Sequence, residues 1–93
     1  MTWYLRVLWE HDLPNEPIDL YSEVDEDGYE TRKVEIYRDG RRDYADESSH
    51  TGTTMLSDVP IGTVDDIADQ PEFTPTRISQ EDFDAVWLST QHG

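Results

Sequence analysis

The sequence predicts one α+β domain over residues 1–93: an antiparallel meander of about four strands, with a short helix and a C-terminal amphipathic helix packed on one face. Three observations predict it. Apolar and polar residues alternate with a period of two in successive short runs, as half-buried strands require. Asp39-Gly40 falls between two such runs, where a hairpin turn belongs. Near the C-terminus the apolar period changes to that of a helix.

Residues 3–9 place Trp3, Leu5, Val7 and Trp9 on one face and Tyr4, Arg6 and Leu8 on the other. Two such faces predict a largely buried, central strand. Residues 11–17, with two prolines, read as a loop. Residues 18–24 alternate again, Ile18, Leu20 and Val24 opposing Asp19, Tyr21 and Glu23. Residues 25–28 form a turn. In residues 29–38, Val34 and Ile36 point inward and Lys33, Glu35 and Tyr37 outward. Asp39-Gly40 predicts a type I′ turn, which needs positive φ at both positions. Residues 41–45, containing Tyr44, return.

Residues 46–62 have no period and are rich in Ser, Thr, Gly and Asp; a long surface loop is expected, of a kind that often carries function. Thr63 with Asp66 three positions on reads as a capping box, opening a short helix that Pro71 stops. Ser79 opens a second helix, with Glu81 and Asp82 near the positive end of its dipole. Phe83, Val86, Trp87 and Thr90 form its core face, expected to cover the sheet face that carries Trp3 or Trp9.

Twenty-two acidic residues against seven basic ones give a net charge of −15. Phosphate binding needs a basic footprint, so nucleic acid is excluded as a partner, and an anionic membrane surface with it. No apolar run approaches the ~18 residues of a membrane helix. The N-terminal stretch lacks the basic region and cleavage site of a signal peptide. With no cysteine there is no disulfide, thiolate zinc site or thiol nucleophile, which suits the cytoplasm, the expected location. A mean hydropathy of −0.82 leans toward disorder, but three Trp, five Tyr and two Phe argue for a packed core. The sequence assigns no oligomeric state.

Catalytic signatures are missing. His11, Asp12 and His50 are metal-ligand types at a spacing that matches no ligand motif, so no metal or cofactor is expected. Asp46, Ser48, Ser49 and His50 have the residue types of a hydrolase triad, without a nucleophile elbow. Residues 25–28 resemble part of a calcium loop but lack its frame. A non-enzyme is expected.

The segments WYLRVLWEHD, EPIDLYSEVDEDGYETRKVEIYRDGR and the closing EDFDAVW resemble a family of small bacterial proteins of unknown function, chiefly actinobacterial. The resemblance spans nearly the whole chain. It implies one intact domain and brings no activity. Its motif positions are Trp9, His11 and Asp12, then Leu20, Tyr21, Ser22 and Glu23, then Arg32, Lys33, Val34, Glu35, Asp39, Gly40 and Arg41.

The function expected is that of a small acidic binding protein, an inhibitor or immunity protein that neutralises a basic protein such as a nuclease toxin. Tyr21, Glu23, Lys33, Glu35 and Tyr37 are expected to share one polar sheet face. Tyr21, Glu23, Glu35 and Tyr37, with His11 and Asp12 at the edge, are the candidate binding residues; cross-strand pairing is their structural alternative. A second reading is a regulatory domain that binds a small anion through Arg32, Lys33 and Arg38. A third is a stand-alone protein whose acidity is an adaptation to salt.

Overall fold

The computed structural model describes residues 1–91; the last two residues of the expected domain lie outside them. Four strands form the expected meander: β1 (Trp3–Trp9), β2 (Asp19–Val24), β3 (Glu30–Ile36) and β4 (Arg42–Asp46). Helix α1 (Val64–Ala68) follows, then a strand absent from the sequence reading, β5 (Phe73–Ile78), then α2 (Gln80–Gln91). The sheet order is β4-β3-β2-β1-β5, and every neighbouring pair is antiparallel. β1 is therefore central, with a strand hydrogen-bonded along each of its edges.

The two hairpins share one turn. Gly28 N donates to Asp25 O and Asp25 N to Tyr29 O; Gly40 N donates to Tyr37 O and Tyr37 N to Arg41 O. Gly28 and Gly40 have φ of +88° and +91°, and no described non-glycine residue has positive φ. The Asp39-Gly40 turn is thus not type I′. It is a three-residue loop in which Gly40 alone takes the left-handed conformation. Asp25 and Asp39 each accept a backbone N–H two residues on, from Asp27 and Arg41, which stabilises that geometry.

Register divides the side chains. Tyr4, Arg6, Tyr21, Glu23, Arg32, Val34 and Tyr44 share one face; Leu5, Val7, Leu20, Ser22, Lys33 and Glu35 share the other. α2 packs on the first. Ser79 Oγ accepts from Asp82 N at 3.1 Å and caps the helix. The fully buried Phe83 joins Tyr21 and Val34 in the core, with Tyr4, Tyr44, Val86 and Trp87 around it. Phe83 lies 5.4 Å from the Tyr4 ring, and Trp87 lies edge-on to Tyr44 at 5.3 Å. The face that α2 covers is therefore the one opposite Trp3 and Trp9, contrary to the sequence expectation.

The second face has its own cover. α1 opens with the expected capping box: Thr63 Oγ1 accepts from Asp66 N, and Asp66 Oδ2 from Thr63 N. Its Ile67 reaches the side that carries Leu5 and Val7. The two helices thus lie on opposite faces, because a strand apolar on both sides needs two layers of cover. Residues 46–62 are only in part a surface loop. Thr54 is buried and donates to Glu35. Ser57 N donates to Glu30 Oε1 at 2.8 Å, and Ser22 Oγ donates to Glu30 Oε2 at 2.8 Å. These carboxylates tie the segment down as a strap.

Both sheet edges are occupied or interrupted. Along β4, Asp46 N donates to Ser49 O and Thr51 N to Tyr44 O, so the chain doubles back on its own edge. Along β5, Glu10 N donates to Glu72 O. Counting along the register from that bond, Thr74 and Thr76 face β1, and Pro75 turns its nitrogen to the free edge.

Candidate functional site

The six sequence candidates do not converge. Tyr21 lies in the core under α2, because its partner across the ladder is Val34 rather than Lys33. Burial raises its phenol above the ordinary tyrosine value, with Asp19 adding to the effect. Glu23 shares that face and grips Arg32, with Nε at 3.0 Å from Oε1 and Nη2 at 2.6 Å from Oε2. The Thr31 hydroxyl adds a bond at 2.8 Å. The bond from Arg32 holds the Glu23 carboxyl below its usual value. Arg32 also reaches Asp84 of α2 at 3.1 Å and lies 4.8 Å over the Phe83 ring and 5.1 Å over the Trp87 ring. This cluster pins α2 to the sheet.

Glu35 and Lys33 are on the opposite face, Glu35 bound to Thr54 of the strap. Tyr37 is buried at the second hairpin, beneath Arg41 at 4.1 Å. The expectation that Tyr21, Glu23, Lys33, Glu35 and Tyr37 share one face is therefore corrected. In the β2–β3 register Tyr21 opposes Val34 and Leu20 opposes Glu35, which puts Tyr21 and Glu35 on different faces.

Three candidates do gather at one end of the sheet. Leu13 N donates to His11 Nδ1 at 3.0 Å, which leaves the ring proton on Nε2, 2.7 Å from Pro17 O. His11 thus uses both nitrogens in shaping its loop. Arg38 Nη2 donates to His11 O at 2.7 Å and bridges that loop to the hairpin. Asp12 and Tyr37 line a cleft of about 560 Å³ with Pro14, Arg38 and Arg41. Asp12 is the one exposed residue of the six. The anion-site residues separate likewise: Arg32 lies under α2, Lys33 on the strap side and Arg38 at the hairpin.

In the triad-like group considered from sequence, Asp46 shapes a turn. Asp46 accepts from Ser48 N, Ser49 N and Ser48 Oγ in a turn, and these bonds lower its carboxyl below the ordinary value. His50 is bridged to Ala45. Among the described residues, no three of His, Cys, Asp and Glu stand together to hold a metal. No described helix is long and apolar enough to cross a membrane.

A cleft missed from sequence opens at the other end. Trp3, Glu26, Asp27, Gly28, Val64 and Asp65 are among the residues lining about 550 Å³. Arg77 of β5 lies 5.1 Å over the Trp3 ring. β5 and α1 create this cleft, so without β5 it was not legible.

Every basic side chain has an intramolecular partner. Arg6 is bidentate to Asp19 at 2.9 and 3.0 Å, Arg32 holds Glu23 and Asp84, and Lys33 faces Glu30 at 3.7 Å. Arg38 bonds His11 O and Arg42 bonds Ser89. Arg41 and Arg77 lie on aromatic rings. Meanwhile Glu10, Asp12, Glu16, Glu26, Asp27 and Glu47 are exposed, as are Asp58, Asp65, Asp66, Asp69, Glu72, Glu81 and Asp82.

A family model described as a domain of unknown function (DUF6881) matches residues 3–92. No curated protein and no solved structure matches the chain.

Proposed function

Since the chain belongs to the DUF6881 family, whose function is not established, we propose from its own surface that it is a non-enzymatic binding protein for a basic protein partner, of the inhibitor or immunity type. One observation carries this reading. Each of the seven basic side chains contacts another group of the chain, while exposed carboxylates outnumber exposed basic residues; Glu26 alone of those at the Trp3 cleft meets a cation, the N-terminal ammonium at 3.3 Å. Such a field raises the association rate of a cationic partner and disfavours acidic ones.

The interface proposed is the cleft at Trp3. Glu26, Asp27 and Asp65 rim it, and Trp3 and Val64 supply apolar area. That combination suits an arginine or lysine side chain, whose stem packs on apolar surface while its head meets carboxylates. The contact of Arg77 with Trp3 is an intramolecular instance of the same pairing. Glu23 and Glu35, engaged as they are, serve the fold first; Asp12 remains an exposed carboxylate for a partner.

The test is a pull-down from host lysate at low and at high salt, run with the native chain and with Glu26→Lys/Asp27→Lys/Asp65→Lys. The expected result is a stoichiometric basic protein that elutes with salt and is lost from the variant. An empty pull-down from the native chain, or equal capture by the variant, overturns the proposal. A chain without a partner whose stability climbs steeply into molar KCl instead would favour salt adaptation.

A further inference from the structure

The sheet face away from α2 is incompletely covered. Between it, the strap and Ile67 of α1 lies a cleft of about 410 Å³. Leu5, Val7, Leu20, Val59, Ile61 and Phe73 supply apolar wall. Ser22, Glu30, Lys33 and Ser57 supply the polar groups. Apolar walls with a few convergent polar groups, in a volume of roughly 300–1,000 Å³, characterise small-molecule sites.

The polar groups are unequally satisfied. Both Glu30 oxygens are taken, by Ser57 N and by Ser22 Oγ, each at 2.8 Å. Ser57 Oγ donates to Val59 O at 2.8 Å. Lys33 differs. Its side chain is only 18% exposed, and its ammonium stands 3.7 Å from Glu30 Oε1. That is close enough for charge attraction and too long for a hydrogen bond. No hydrogen bond joins the ammonium to any other described residue and its nitrogen is not sealed off, so its three donors are open to a group in the cleft.

What Lys33 has to offer a ligand is donors rather than charge. Glu30 balances the Lys33 charge, and a chain of net charge −15 repels a further anion. A neutral oxygen acceptor can take up those donors without that repulsion. We infer that this cleft binds a small neutral molecule whose apolar body lies between the strap and Leu5, and whose carbonyl oxygen accepts from Lys33 Nζ. The inference is independent of the basic-partner reading, since the cleft contains none of Glu26, Asp27 and Asp65.

The probe is N,N-dimethyl-3-phenylpropanamide, an aromatic body with one carbonyl and no donor. Its counterpart is 3-phenylpropanoate, with the same body and a negative charge. Each is titrated into the full chain with the backbone ¹⁵N-labelled and lysine Cε ¹³C-labelled. Lys33 is the only lysine, so one side-chain signal reports on it. The expected result is saturable shifts at cleft residues, movement of the Lys33 signal, and weaker binding of the carboxylate. Lys33→Met should weaken the amide about tenfold or more, as expected for a bond to a charged donor. No saturable binding of the amide, a Lys33 signal that stays fixed, a carboxylate that binds as well, or a folded Lys33→Met chain of unchanged affinity would each overturn the inference. Should that variant fail to fold, the amide–carboxylate comparison and the Lys33 signal decide on the unaltered chain.

Discussion

Glu23→Gln removes the charge that holds Arg32 while keeping the side chain's size. The two side chains are 16% and 24% exposed. That lies between a buried pair, where loss of one partner costs about 3–5 kcal/mol, and a surface pair at about 0–1 kcal/mol. Asp84 still reaches Arg32 at 3.1 Å, and Gln retains one acceptor, so the loss is set near the middle. A cost of about 2 kcal/mol is expected at pH 7, seen as a drop of about 8–16 °C in melting midpoint. The pH dependence has a definite sign. The folded carboxyl sits below its usual value of 4.5, so its contribution is complete above that value. It is lost as the pH falls from there through the lower folded value. Urea unfolding of both chains between pH 7 and pH 3 should therefore show a gap that narrows in acid. A gap under about 0.5 kcal/mol at pH 7, or one that persists unchanged in acid, would refute the reasoning.

The remaining predictions are simpler. Phe83→Ala opens a cavity where α2 meets the sheet and should cost about 3–5 kcal/mol, measured by chemical denaturation. Glu30→Ala removes the acceptor of Ser57 N and Ser22 Oγ, and hydrogen exchange should accelerate in residues 54–61 while α2 stays protected. Gly40→Ala meets nothing within 4 Å, so only its positive φ opposes the change; a cost of about 1 kcal/mol is expected. Gly28→Ala adds a 3.3 Å contact with Pro60 Cβ and should cost more, in a side-by-side melt.

Much of the fold was legible because local chemistry and tertiary structure agree over β1–β4, α1 and α2. The capping residues Thr63 and Ser79, and the core positions Phe83 and Val34, could be read directly. β5 escaped because Phe73–Ile78 contains a proline and places Thr74, Thr76 and Arg77 in solvent, so its alternation is weak. A signal for it existed. A four-strand meander leaves the first strand at an edge, yet Trp3–Trp9 reads as central, and only a further neighbour reconciles the two. Assigning faces failed for a related reason. Inward and outward have meaning when one side of a sheet is wet, and here α2 covers one side and the strap part of the other. Pairing of Tyr21 with Val34 is a register fact that alternation within each strand leaves open. The Trp3 and Lys33 clefts depend on β5, α1 and the strap, so neither was visible before the chain was folded.

The edges of the sheet bear on how this chain meets others. A bare edge is a template on which a second chain can hydrogen-bond its backbone, in assembly or in aggregation. Here residues 49–51 fill one edge, and Pro75 withholds a donor in the middle of the other. Backbone pairing, indifferent to the identity of the side chains, is denied a continuous row on either side. Recognition is left to side chains, whose chemistry can tell one partner from another. At high concentration, the same arrangement favours separate molecules over fibres.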